Sequence, residues 1–136
     1  MRFRQVHLDF HTSEKIDGIG KNFDKEQFQA ALKKGNVDSI TVFSKCHHGW
    51  AYHFSKANKM HPSLDFDLLK AQIDAAHEIG VKTPVYISAG FDEKTAREHP
   101  EWRFEDREHC VDNFAKPMFH LLCMNTKYLD YLLDQI

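Results

Sequence analysis

The feature that most constrains this chain is an alternation of strand-like and helix-like segments along its length. In the strand-like segments apolar and polar residues alternate or β-branched residues are abundant, and in the helix-like segments apolar residues recur every three or four positions. This order predicts parallel strands joined by right-handed crossovers, and so an α/β fold. The strand-like segments are 4–11, 39–45 and 82–88, and the helix-like segments are 24–35, 66–80 and 125–136.

The connections between these segments are of two very different lengths. Helix-to-strand links are as short as "GV", whereas strand-to-helix links run from about a dozen to about three dozen residues, which is uncommon unless a loop carries function. The long links all leave the C-terminal ends of the strands. Parallel α/β folds keep their binding and catalytic sites at that end, so a site is expected there.

The polarity of the strands favours a barrel over an open sheet. One face of each strand is apolar, and the other face becomes polar toward its C-terminal end, as in strands that line the mouth of a barrel. A complete (β/α)8 barrel takes roughly 250 residues. The 136-residue chain is therefore expected to be the N-terminal portion of a TIM barrel, in which residues 1–136 form a partial domain of about three βα units that continues beyond the chain end. A small flavodoxin-like domain is the alternative. The polar residues at the strand ends are Asp9, His11, Thr41, Lys45, Tyr86 and Ser88.

Charge and composition limit the classes of partner that the protein is expected to bind. A net charge of −2 and a pI near 6.5 supply no basic field for nucleic acid or an anionic membrane. No apolar run approaches the roughly 20 residues that span a bilayer, and the start of the chain turns polar too early for a signal peptide. A cytoplasmic protein is expected. Cys46, Cys110 and Cys123 show no CxxC spacing, which argues against a disulfide framework or a thiolate zinc site.

The segment "SKCHHGWAYHF", residues 44–54, concentrates three histidines and three aromatic residues directly after the second strand. A neutral imidazole donates one hydrogen bond and accepts another, as a sugar hydroxyl does. Aromatic planes such as those of Trp50, Tyr52 and Trp102 can pack on the apolar face of a pyranose ring. The cluster therefore suggests a sugar-binding site.

Particular motifs resemble known glycosidases. The stretch "SITVFSKCHHGWAYHFSK" resembles the second-strand motif T-x-K-H-H-D-G-F of α-L-fucosidases (glycoside hydrolase family 29), and "LDFHTS" matches that family's "FIHWG" in position. The joint occurrence of "HLDFHTS", "KCHHGW" and "HPEW" resembles the hypothetical glycosyl hydrolase family 6 over nearly the whole chain. This chain departs from the fucosidase motif by an inserted Cys46 and by the loss of the acidic residue before Gly49.

The resemblance implies a (β/α)8 glycosidase that hydrolyses a terminal sugar, as α-L-fucosidases do, by a carboxylate-pair mechanism. It implies that His11, His47 and His48 bond sugar hydroxyls and that Trp50 takes the place of the family's aromatic residue. With Lys45 these are the expected substrate-binding residues. The nucleophile is expected beyond residue 136, so the catalytic residues stay unassigned and the chain alone is expected to be inactive. No metal or cofactor is expected. The expected partners are a carbohydrate substrate and further copies of the chain, which open sheet edges would bring together.

Two other functions stay open. The opening "HLDFHTSEKIDG" is similar to that of metal-dependent phosphoesterases, in which His7, Asp9 and His11 would bind a divalent metal. Against this, Asp9 replaces that family's first histidine, and Lys45 stands where a metal ligand is expected and would repel the cation. A non-catalytic sugar-binding barrel is the other alternative.

Several expectations concern single residues. The strands should pair in the order 1-2-3, with His11, Lys45 and Ser88 at one edge, and Lys45 should neutralise a buried Asp9. His7 should lie in the core. Helix starts are predicted at Asp24 and Asn125, whose side chains are suited to capping. Trp102 is expected to pack in the interior, and "MFHLLC" is either a short strand or a packed loop.

Overall fold

The computed structural model describes residues 3–104 and 119–136. Its centre is a three-stranded sheet whose strands are β1 (Gln5–His7), β2 (Ser39–Lys45) and β3 (Val85–Ile87). The strands are parallel and lie in the order β1-β2-β3. The predicted α/β fold with a parallel sheet and the predicted strand order are therefore confirmed.

Two helices cover one side of this sheet. Helix α1 spans Lys25–Lys34 and begins at Asp24, whose Oδ1 accepts a hydrogen bond from Gln27 N at 2.7 Å, as predicted. Helix α2 spans Leu68–Glu78 and begins in the same way at Asp67. Gly80, at φ +74°, ends this helical region in the left-handed conformation that suits glycine. The buried side chains between these helices and the sheet are Leu32, Ile40, Ala76 and Val81.

The long connection after β3 contains structure that the sequence patterns did not predict. Helix α3 spans Glu93–Glu98 and is followed by a 3₁₀ turn at Pro100–Trp102. Helix α4 spans Tyr128–Leu133, and the predicted cap at Asn125 is wrong, because Thr126 Oγ1 instead accepts from Tyr128 N at 3.2 Å. Trp102 is partly buried against the cluster of Ala96, Leu122, Tyr128 and Leu132, as expected for a packing residue.

Part of the segment "MFHLLC" is described, and it pairs in strand fashion. Leu121 bridges Phe91 and Leu122 bridges Arg103, both antiparallel. These bridges bring residues 119–123 back to the C-terminal end of β3. Cys110 lies outside the described residues.

The first strand is shorter than predicted. Its ladder to β2 ends at His7. His7, Leu8 and Asp9 are exposed, Leu8 at 58%. The expectation of a buried Asp9 and a core His7 is therefore wrong. The physical reason is that no described element packs over this end of β1.

Among the described residues, no helix is long and apolar enough to cross a membrane.

Candidate functional site

The two adjacent histidines lie on a tight turn directly after β2. Gly49 N donates to Cys46 O at 3.0 Å and closes the turn around His47 and His48. Gly49 has φ +93°, and a Cβ there would clash with Asp92 Oδ1 and lie 2.8 Å from Lys94 Cβ. Only glycine fits both the backbone conformation and the close approach of α3.

His47 contacts residues that come from several parts of the chain. Its Nδ1 lies 2.5 Å from Ser88 Oγ, and its ring centroid lies 4.4 Å from that of His11. The rings of Phe91 and Phe119 flank it at 5.4 and 5.5 Å. The expected convergence of His11 and Ser88 at the C-terminal edge of the sheet is thus present, with His47 between them. Burial lowers the pKa of His47, and the adjacent His11 acts in the same direction, so the neutral ring is favoured.

His48 stands beside the same aromatic wall. Its ring meets Phe119 edge-on at 4.9 Å between centroids. Burial lowers the pKa of His48; Glu14 opposes this shift, while His11 and Arg97 add to it. We refer to His11, His47 and His48 together as the imidazole group.

His11 has a partner of its own at the open end of β1. Its Nε2 lies 2.9 Å from Asp9 Oδ1, and the Asp9 side chain is 71% exposed. His11 Nδ1 is buried and has no hydrogen-bond partner among the described residues. Asp9 therefore orients His11 and does not neutralise Lys45.

Lys45 instead pairs with Asp92, which corrects the expected pairing. Lys45 Nζ lies 2.6 Å from Asp92 Oδ2, and the two side chains are 1% and 0% exposed. The rings of Tyr128 and Tyr131 stand 5.8 and 5.6 Å from the ammonium group. Burial lowers the pKa of Lys45, and the Asp92 carboxylate opposes that shift. We refer to Lys45 and Asp92 as the anchor pair.

The anchor pair ties the histidine turn to helix α3. Asp92 Oδ1 accepts from Thr95 N at 3.0 Å and so caps the helix. The first backbone N–H groups of α3, which have no partner within the helix, donate to the turn: Glu93 N to His47 O at 2.9 Å and Lys94 N to His48 O at 3.2 Å. The backbone of both histidines is therefore fixed by buried contacts.

Trp50 lies to one side of this arrangement and is half-buried. Its Nε1 donates to Glu14 Oε2 at 3.4 Å, and Lys94 Nζ stands 5.6 Å from its ring centroid. Glu14 also pairs with Arg97 at 2.9 Å. Part of the aromatic surface predicted to face a sugar is therefore covered by Lys94.

Two polar pairings in this region were missed by the sequence patterns. Asp92 binds Lys45, and Glu93 Oε2 accepts from His120 N at 3.0 Å and lies 2.9 Å from His120 Nδ1. A capping residue, Asp92, followed by an acidic residue in the first turn, Glu93, is a helix-start signal that could have located α3. No sequence signal pairs Glu93 with His120, which lies 27 positions away.

The three residues that the phosphoesterase alternative assigns to a metal site are His7, Asp9 and His11, and they do not form a metal-binding group. His7 packs its ring against Phe43 and Tyr86, while Asp9 turns to His11. Within residues 3–104 and 119–136, no three His, Cys, Asp or Glu side chains converge as metal ligands would. Cys46 is fully buried, with its Sγ 3.0 Å from the Tyr52 hydroxyl.

The chain is similar to known proteins in sequence and in structure. The sequence profile of the family described as hypothetical glycosyl hydrolase 6 matches residues 24–136. The structure of α-L-fucosidase isoenzyme 2 from Paenibacillus thiaminolyticus is 62% identical, with a TM-score of 0.92, over 99% of this chain and 21% of that chain. An α-amylase from Lactobacillus plantarum is 21% identical, with a TM-score of 0.52, over 82% of this chain and 30% of its own, a likeness of fold alone. No curated protein matches the chain.

Proposed function

Because the chain belongs to the hypothetical glycosyl hydrolase 6 family and is related to an α-L-fucosidase, we propose that it is part of a glycoside hydrolase that removes a terminal sugar. The chain spans 21% of the length of that fucosidase, so the activity of the whole protein belongs to the proposal. The observation that carries it is the imidazole group at the C-terminal edge of the sheet. The rings of His11 and His47 lie 4.4 Å apart, His47 and His48 both contact the Phe119 ring, and the local surroundings favour the neutral rings of His47 and His48.

In this proposal the imidazole group bonds the hydroxyls of the bound sugar. Neutral imidazoles suit that task because each has one nitrogen that donates and one that accepts, so a nitrogen that the protein leaves free can bond a hydroxyl in a fixed direction. Phe91 and Phe119, whose rings flank His47, supply apolar surface beside it. Lys45 acts indirectly, because its ammonium group is enclosed with Asp92, and Trp50 contributes at the edge of the site.

We further propose that residues 1–136 supply about three βα units of a (β/α)8 barrel. The parallel order β1-β2-β3 and the long connections from the C-terminal strand ends support this architecture. The apolar residues Leu8, which directly follows β1, and Val85 in β3 are exposed at 58% and 49%, and neighbouring barrel elements would pack there.

Hydrolysis of a glycosidic bond requires two carboxyl groups, about 5–5.5 Å apart when configuration is retained. Asp92 is engaged by Lys45 and by the start of α3, and Glu93 is engaged by His120. The proposed catalytic pair is therefore supplied chiefly by residues outside 1–136, and this chain contributes recognition of the sugar.

The test is an assay of the complete protein against a panel of nitrophenyl glycosides that includes the α-L-fucoside and the β-galactoside. Each substrate is assayed with and without a chelator. We expect hydrolysis of at least one glycoside at a rate that the chelator does not change. Loss of activity on chelation with recovery on adding zinc or manganese would contradict the proposal, as would the absence of any hydrolysis across the panel.

A further inference from the structure

Ser88 links His47 to the backbone of Phe91 through two consecutive hydrogen bonds, an arrangement that we call the relay. Ser88 follows β3 directly and is 1% exposed. Its Oγ lies 2.8 Å from Phe91 O and 2.5 Å from His47 Nδ1. Its backbone N–H donates to Lys45 O at 3.0 Å, so the serine is held to the end of β2 independently of its side chain.

The hydrogen atoms in this relay can be assigned. A carbonyl oxygen only accepts and a serine hydroxyl carries one hydrogen, so Ser88 gives its hydrogen to Phe91 O. The remaining bond then requires His47 Nδ1 to donate to Ser88 Oγ. In a neutral imidazole, a proton on Nδ1 leaves Nε2 as an acceptor. The lowered pKa of His47 favours that neutral form.

The neighbouring ring has a parallel arrangement. His11 Nε2 lies 2.9 Å from the Asp9 carboxylate, which only accepts, so Nε2 carries the proton and Nδ1 of neutral His11 is an acceptor. The His11 and His47 rings are 4.4 Å apart between centroids. In each neutral ring the N–H is bound to protein and the other nitrogen is an acceptor, and in His11 that acceptor is buried.

We propose that Ser88 is a positioning residue that fixes His47 in the Nδ1–H tautomer and thereby makes Nε2 an acceptor for a donating hydroxyl. The proposal rests on the proposed sugar-binding function of this site. It refines that function, because it assigns the direction of the hydrogen bond at His47. A ligand group that accepts but cannot donate would meet a lone pair at this position and bind poorly.

The direct test is nitrogen NMR of the complete protein labelled with ¹⁵N-histidine, recorded at about pH 8, above the ordinary imidazole pKa near 6.5. Nitrogen shifts distinguish the two neutral tautomers, and the His47→Gln variant identifies the His47 signals. We expect His47 to be protonated on Nδ1 in the wild type and to become a mixture of tautomers in Ser88→Ala. Ser88→Thr keeps the hydroxyl and should restore the wild-type signals.

The matched control is a second pair of a serine hydroxyl and a histidine ring within the described residues. Ser44 Oγ lies 3.0 Å from His53 Nε2, outside the imidazole group. Ser44→Ala should leave the His47 signals unchanged. In steady-state assays with a nitrophenyl glycoside, Ser88→Ala should raise KM roughly threefold to tenfold with a smaller change in kcat, and Ser88→Thr should reverse most of that rise.

The outcomes separate this inference from the proposed function. A wild-type His47 protonated on Nε2, or a tautomer that Ser88→Ala leaves unaltered, would overturn the inference whether or not the protein hydrolyses glycosides. The expected signals in a protein that neither binds nor hydrolyses any glycoside would uphold the role of Ser88 and refute the proposed function.

Discussion

The ends of β1 and β2 both present a charged residue followed closely by histidine, yet the two are held in opposite ways. At the end of β2, Lys45 pairs with Asp92 where neither side chain is more than 1% exposed, and the next residues bond the start of α3. At the end of β1, Asp9 is 71% exposed and its one described partner is His11. The β2 end is fixed by the chain itself, whereas the β1 end is supported mainly by the rings that touch His11.

This difference indicates which part of the site is preorganised by the fold. A buried ion pair is costly to disrupt because an unpaired charge in the interior has no water to solvate it. An exposed pair contributes little, because water solvates its members equally well when they separate. The histidine turn should therefore keep its geometry under perturbation, while Asp9 and His11 adjust.

The largest expected effect comes from breaking the anchor pair. Asp92→Ala leaves Lys45 buried without a partner and removes the cap of α3, so it should lower the free energy of unfolding by about 3–5 kcal/mol. Asp9→Ala should lower it by less than about 0.5 kcal/mol, because that side chain is exposed. Urea denaturation of the two variants compares the two strand ends directly.

A double variant tests the cause of that loss. Lys45→Met with Asp92→Asn removes both charges and keeps a side chain that can cap α3. It should recover most of the stability that Asp92→Ala loses. Equal losses in Asp92→Ala and Asp9→Ala would show that the anchor pair has no special role.

A smaller effect is expected at the glycine of the histidine turn. Gly49 and Gly80 both have positive φ, at +93° and +74°, but a Cβ at Gly80 would meet nothing within 4 Å. Gly80→Ala should therefore show only the cost of the left-handed conformation, about 1–2 kcal/mol. Gly49→Ala should cost about 1–3 kcal/mol more, because its Cβ displaces Asp92. Equal costs at the two glycines, measured by thermal or urea unfolding, would contradict the close approach of α3 to this turn.

The smallest expected effect is a pH dependence from the histidine pair. The folded chain holds the pKa of His47 and of His48 below the ordinary imidazole value, so below about pH 6.5 the unfolded chain takes up protons first. Their contribution to stability is complete above that pH and is lost as the pH falls through the lowered values. Replacing both residues by Gln should make this decline shallower in urea denaturation series, and His53→Gln serves as the control. If stability declined equally steeply with falling pH in the double variant, the pH dependence could not be assigned to His47 and His48.

The same contrast explains how far the sequence predicts this structure. Helix α1 and strand β2 follow from local signals, namely the Asp24 cap and the β-branched residues of segment 39–45. Strand β1 was predicted too long because alternation alone does not show where a neighbouring strand stops pairing, and the ladder ends at His7. Helix α3 was missed because six residues are too few to display a helical period.

Within the site, the contiguous residues were predictable and the distant ones were not. The His47–His48 pair and His11 stand out in the sequence, and the parallel strand order brings them to one edge. The partner of Lys45 was misassigned to Asp9, because both lie at strand ends and charge alone does not decide between Asp9 and Asp92. The burial of Asp92 at the start of an unpredicted helix decides it.

The most direct test of the central claim is calorimetric titration of the complete protein with L-fucose in a chelator-containing buffer. Wild type is compared with His48→Ala and with His53→Ala. The second variant is the control, because the ring of His53 bonds Ser44 outside the imidazole group. We expect wild type and His53→Ala to bind alike and the affinity of His48→Ala to be lower by roughly tenfold or more, since each lost hydrogen bond leaves a buried group unsatisfied. Equal binding by all three proteins, or binding that appears only after a divalent metal is added, would contradict a metal-free sugar site built on the imidazole group.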